Sequence, residues 1–264
     1  MIPISDENPT GRRGWLTMIL IGLCTIVYFA VQPTGSNSFA VGDPRVQERE
    51  LEFALDWAAV PCEVTKGRPL SVDEVEATFG DGDMSSCGVG DPTDSDNPNK
   101  PVYLALLVSM FLHGSIAHLA GNMLFLWIFG NNIEDRKGRG WFAALYVIGG
   151  LLADLTHVAV DPTSTVPVVG ASGAIAAVMG AYLVLWPRAR IKCVMPWGGL
   201  RKVSAGWVLG TWVASQFLIM VAPSNVSWGA HLGGFAVGAI AGWLWRVAER
   251  RDRTDLAPPV PARL

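Results

Sequence analysis

Val168 to Tyr182 reads VVGASGAIAAVMGAY and sets one hydroxyl, Ser172, between glycines at the mouth of an apolar run that continues to Pro187. A helix from Ala171 to Pro187 covers only about 25 Å at 1.5 Å per residue, short of a hydrocarbon core of about 30 Å. Loop backbone must then dip inward to meet it. Irregular backbone at that depth survives only where it is buried in protein or lines a water-filled cavity. Val166 to Gly170, with Gly170 and Ala171 directly before the serine, are therefore expected to bound an aqueous recess with Ser172 at its floor.

Similar apolar runs lie on both sides of this one, at Gly14 to Gln32, Trp141 to Val160, Ser204 to Ala222 and Trp228 to Val247. Each is near the roughly 17 to 25 residues that span a bilayer. Pro101 to Phe129 is too long for one span and is interrupted at Gly114 and Ser115. It divides into an interfacial segment, Val102 to Leu112, and a span from Ser115 to Asn131. Half of the 264 residues are hydrophobic and only 16% are charged, against about 25% in soluble domains. The expected fold is all-α, a polytopic membrane protein with six transmembrane helices.

Fifteen of the 20 basic residues fall on one side of that six-span arrangement, which orients it by the positive-inside rule. Both termini are then cytoplasmic, and a bacterial cell (inner) membrane is the expected location. The organisation is a cytoplasmic tail at 1–13, a first span at 14–32, an exported acidic loop with its interfacial segment at 33–113, a membrane core at 114–247 and a basic tail at 248–264. Ser38, Phe39 and Ala40 loosely resemble a processing site, but a 19-residue first run exceeds the usual secretory core of about 7 to 15 and is read as a retained span. The end of the loop, DGDMSSCGVGDPTDSDNPNK, has the composition of a flexible segment.

Cys62 and Cys87 share the exported loop, where a disulfide would close it. No Cys or His cluster has metal-ligand spacing, and no nucleotide or nucleic-acid motif occurs, so neither metal nor cofactor is expected.

Polar groups inside the hydrocarbon are costly and mark function by default. Ser172 lies 16 residues before Arg188, His231 lies 15 before Arg246, and His118 lies 16 before Glu134. All three stand roughly 22 to 24 Å above the charged end of their helices. Asn122 is one turn deeper on the His118 face. Gly234, Gly238 and Gly242 form a small-residue ridge shared by His231, and Ala176 and Gly180 continue the face of Ser172. Such stripes allow close helix packing, which would bring His231 within reach of Ser172, the pairing that activates a serine hydroxyl. A lone membrane serine usually bonds back to its own helix; the equal depth of the Ser and two His argues against that here. Asp154 and His157 read as an interfacial polar pair, with a proton relay as the sharper alternative.

HGSIAHLAGNM at His113 to Met123, GASG at Gly170 to Gly173 and AHLGGFAVG at Ala230 to Gly238 together resemble the rhomboid family of intramembrane serine proteases. The resemblance implies a rhomboid-like helical bundle in which Ser172 is the nucleophile, His231 the general base, and the backbone N–H of Ser172 with the side chains of His118 and Asn122 the oxyanion donors. It implies a single-span membrane protein as substrate, cleaved near the exported face after lateral entry from the lipid bilayer, with Trp207, Trp212 and Phe217 as candidate gate residues. Ala176 stands where many members carry an aromatic that stacks on the histidine, so His231 needs another orienter. Trp57 is followed by Ala58, so the Trp-Arg pair of the first loop is absent. Two other readings compete: a catalytically silent rhomboid-like protein that binds membrane helices, and a small transporter built on Asp154 and His157.

Overall fold

The computed structural model describes residues 1–8, 10–33, 44–221 and 226–255. Ser38 to Ala40 and the end of the basic tail, 256–264, lie outside them. The chain is mostly helical: α1 (Trp15–Ile26) continues into a π-helical turn (Val27–Val31), followed by α2 (Pro44–Trp57), α3 (Pro61–Lys66), α4 (Val72–Phe79), α5 (Val102–Ser109), α6 (Ile116–Lys137), α7 (Arg139–Val160), α8 (Ser172–Leu185), α9 (Ala205–Val221) and α10 (Trp228–Asp255). Among the described residues, one helix, Arg139–Val160, is by length and composition long and apolar enough to cross a membrane; Trp15–Val31, Ser172–Leu185 and Ala205–Val221 are shorter apolar helices.

The all-α expectation needs correction. Ile2–Asp6 (β1), Arg190–Val194 (β2) and Leu200–Ser204 (β3) form an antiparallel sheet in the order β1-β2-β3. Ile191 and Cys193 are buried while Arg190, Lys192 and Val194 are exposed, the period of two that a half-buried strand requires. Gly198 and Gly199, both at positive φ (88° and 81°), turn the chain between β2 and β3. The N-terminal tail thus becomes a strand, and the basic tail begins as a continuation of α10.

Acidic side chains fasten this end of the bundle. Glu134 on α6 accepts from the N–H groups of Leu16 (2.9 Å) and Thr17 (2.8 Å), two of the donors that the first turn of α1 leaves unpaired. Asp6 accepts from Asn132 Nδ2 (2.6 Å) and Tyr182 Oη (2.9 Å), tying β1 to α6 and α8.

At the heart of the bundle α8 lies against α10. A Cβ on Gly234 would strike the Gly173 carbonyl, one on Gly238 the Ala177 carbonyl, and one on Gly180 the Phe235 carbonyl, while Gly242 lies against Ala181. The two backbones therefore meet with no side chain between them. Val178, Met179 and Tyr182 pack with Phe129 and Phe142 in the main apolar cluster.

The acidic stretch expected to be flexible is instead part of a structured cap, Pro44 to Lys100. Pro61 starts α3 at a position where its missing N–H costs nothing, and Gly67 ends it in the left-handed conformation (φ 68°). Ser71 and Glu74 form a reciprocal capping box on α4. Cys62 and Cys87 are joined by a disulfide, with Cα atoms 5.7 Å apart and a sequence separation of 25. Closing a loop of that length is worth about 3 kcal/mol, added to the small apolar cluster that Val60, Cys62 and Leu70 form with Leu55 and Val75.

Candidate active site

The loop that enters α8 is held from both sides. Gly170 adopts φ 129°, and a Cβ there would come within 2.8 Å of His118 Cε1 and Nε2, so only glycine lets the His118 ring rest on this backbone. Its N–H donates to Ser109 O at 2.9 Å. The cap grips the same loop: Cys62 N–H donates to Ser164 O (2.9 Å), Thr165 N–H to Met84 O (3.0 Å) and Val168 N–H to Ala59 O (2.8 Å). Ala171 is the N-cap of α8, and Ser172 is its first helical residue. The N–H groups of that first turn have no carbonyl one turn back, and the positive end of the helix dipole lies with them.

Across the glycine seam, His231 sits in the first turn of α10, and its Nε2 is 2.8 Å from Ser172 Oγ. The other ring nitrogen, Nδ1, is 2.7 Å from Gln216 Oε1 on α9. Trp212, one turn before Gln216, places its ring 5.6 Å from the imidazole at 43° between planes. The α9 side chains therefore occupy the role left open by Ala176, which is fully buried in the apolar core. Gln216 was missed by the sequence reading, although a strongly polar group inside an apolar run at i, i+4 from a tryptophan carries the same signal that singled out His118 and Asn122.

Ser172, His118, Asn122 and His231 line one open cavity of about 770 Å³, together with Trp212 and the loop from Val166 to Gly170. Asn122 is 8% exposed, and its Nδ2 has no hydrogen-bond partner among the described residues. It is an uncommitted donor at the cavity wall. His118 is set at the start of α6 by its own N–H, which donates to the Ser115 cap at 3.1 Å. His113 is buried behind it, ring centroids 5.3 Å apart.

Asp154 and His157 are not a pair. Asp154 Oδ2 and His157 Nδ1 are both buried with no hydrogen-bond partner among the described residues, and Asp154 belongs to the cavity wall. Of the three gate candidates, Trp207 and Phe217 are exposed (71% and 53%), while Trp212 turns inward to His231. Cys62, Glu74 and Cys87 stand close enough to suggest ligands, but the two sulfurs are bonded to each other, which leaves no thiolate for a metal.

A family model described as the rhomboid domain matches residues 100–247, more than half the chain. The chain belongs to the rhomboid family. Similar proteins include Rhomboid protein 1, mitochondrial, of Saccharomyces cerevisiae, 34% identical over 57% of this chain and 44% of the relative. Presenilin-associated rhomboid-like protein A, mitochondrial, of Danio rerio is 33% identical over 54% of this chain and 38% of the relative. Rhomboid-like protein 11, chloroplastic, of Arabidopsis thaliana is 29% identical over 55% and 54%. This rhomboid spans less than half the length of the two mitochondrial relatives. The expected location in a bacterial inner membrane is overturned by these matches, which are named as mitochondrial and chloroplast proteins.

Proposed function

We propose that this rhomboid is an intramembrane serine endopeptidase that cuts single-span membrane proteins, with the six helices α1, α6, α7, α8, α9 and α10 as its spans. The observation that carries the reading is the 2.8 Å contact of His231 Nε2 with Ser172 Oγ, in a cavity that also holds His118 and Asn122. In the proposed reaction Ser172 Oγ attacks the scissile carbonyl as His231 Nε2 takes its proton. The oxyanion that forms is met by the Ser172 N–H, Asn122 Nδ2 and the His118 ring. Collapse expels the amine, protonated by His231, and water then hydrolyses the acyl-serine with His231 again as base. Donors of this kind act without reorganisation in a site of low dielectric, and losing one costs about 10²- to 10³-fold in rate.

The test is cleavage of a model single-span substrate by purified protein in liposomes, with fluorophosphonate labelling as a second readout. The parent is expected to cleave and label, and folded Ser172→Ala and His231→Ala to do neither. Intact substrate and an unlabelled serine in the parent would favour the silent, helix-binding reading.

A further inference from the structure

We infer that Gln216 is the positioning residue that fixes the tautomer and tilt of His231, a reading that rests on the proposed protease activity. Gln216 is 3% exposed, so its amide must find partners within the protein. Its Nε2 donates to Trp212 O (3.2 Å) and to Ser215 Oγ (3.2 Å), which uses both amide hydrogens. Only the acceptor, Oε1, is left to face the imidazole, and it does so at 2.7 Å. An acceptor there requires that His231 Nδ1 carry the ring proton. Nε2 is then the bare nitrogen, and it is this nitrogen that stands 2.8 Å from Ser172 Oγ. The reverse tautomer would place two acceptors, Oε1 and Nδ1, against each other and leave Nε2 unable to take a proton.

The ring is held in direction as well as in protonation. Trp212 contacts the imidazole and also Phe235, one turn beyond His231, with ring centroids 6.0 Å apart. The i, i+4 pair Trp212 and Gln216 on α9 thus faces the i, i+4 pair His231 and Phe235 on α10. One α9 residue packs against the ring and the other bonds its edge. The amide supplies orientation without a second charge, which suits a site where an ionised acid would itself need desolvation.

The test separates positioning from packing by reversing the usual order of tolerance. Gln216→Leu keeps the bulk and improves apolarity but removes the acceptor; Gln216→Glu keeps the acceptor and brings in a polar group that a packing role would tolerate less. Single-turnover cleavage and the rate of fluorophosphonate labelling of Ser172 are measured for both. Leu is expected to lower kcat by about 10²- to 10⁴-fold, the range for a misdirected general base, with KM unchanged, and Glu to recover at least about tenfold over Leu. A Leu variant equal to the parent, or a Glu variant no better than Leu, overturns the inference and leaves the protease reading standing so long as the parent cleaves. Nitrogen-15 NMR of the parent imidazole decides the matter even if Leu fails to fold or the parent cuts no substrate. Protonation at Nδ1 supports the assignment, and protonation at Nε2 alone overturns it.

Discussion

The seam between α8 and α10 is assembled from glycine and alanine, with, among the described residues, a polar bond beyond the Ser172–His231 contact only at its far end, where Arg246 Nη1 donates to Val184 O at 3.3 Å, whereas the cap from Pro44 to Lys100 sets small apolar clusters within a network of polar bonds and one disulfide. In the seam, backbones approach until carbonyls touch Cα hydrogens, and stability comes from dispersion over a long flat contact. In the cap, Glu74 alone accepts from Arg68 Nη1 (2.7 Å) and Nη2 (2.9 Å), Ser71 N (2.7 Å) and Gly88 N (2.6 Å). Beside it Glu63 and Lys100 form an ion pair at 2.6 Å with side chains 2% and 1% exposed. Both regions converge on the chain before Ser172, the seam by placing its helix and the cap by gripping residues 164 to 168. A region that stabilises through paired buried charges is sensitive to losing one partner; one that stabilises through close approach is sensitive to gaining an atom.

The largest effect is expected at Lys100. Burial presses the Glu63 carboxyl upward and the Lys100 amine downward from their ordinary pKa values, with each partner's charge opposing the shift. Lys100→Met leaves a buried carboxylate alone and should cost about 3 to 5 kcal/mol, while Glu63→Leu with Lys100→Met should return most of that loss. Thermal unfolding of the three proteins in detergent checks this; a double variant as weak as the single would show that the charges are not what the cap depends on.

Acid should reach the cap next. Burial works to raise the Glu74 carboxyl, but the Arg68 guanidinium and the N–H groups of Ser71 and Gly88 outweigh it and hold the carboxyl down at about 2. A carboxyl whose folded pKa is depressed contributes its stability above the unfolded value, near 4.5, and loses it as pH falls toward the folded one. The contribution is on the order of 3 kcal/mol and should vanish between about pH 4.5 and pH 2. Hydrogen exchange at the Ser71 and Gly88 amides measures it directly. Protection that persists unchanged to pH 2 would sink the assignment.

The contrast also explains what could be read from the residues in advance. Ser172, His231 and His118 announce themselves because a hydrocarbon tolerates few polar groups, and helical rise turns their spacing into depth. Gly234, Gly238 and Gly242 declare a packing face by period alone. The cap offers no such period: its order depends on particular pairings, Cys62 with Cys87, Ser71 with Glu74, Glu63 with Lys100, which composition averages into the look of a flexible chain. The small sheet was missed for another reason. RIKCV and LRKVS are short, and their alternation lies between two apolar runs that draw the eye to helical period. Gln216 falls between these cases, a polar residue in a plausible span whose partner on another helix only the fold reveals.

The smallest expected effect tests the seam itself. Adding one methyl at Gly238 drives a Cβ into the Ala177 carbonyl, and the helices can relieve it only by moving apart, at about 1 to 3 kcal/mol for overpacking. His231 stands seven residues, two turns, up the same helix, so separation at Gly238 widens the gap between His231 Nε2 and Ser172 Oγ. Gly238→Ala should therefore slow fluorophosphonate labelling of Ser172 while leaving the acid-sensitive protection of Ser71 and Gly88 as it was. The reverse pattern, full labelling with altered cap protection, would mean that the cap and not the seam sets the distance between serine and histidine. Because the cap holds the loop before Ser172 but touches α10 through none of the bonds described above, it is the seam rather than the cap that sets how closely α10 brings His231 to Ser172, while Gln216 and Trp212 on α9 set the direction of the ring.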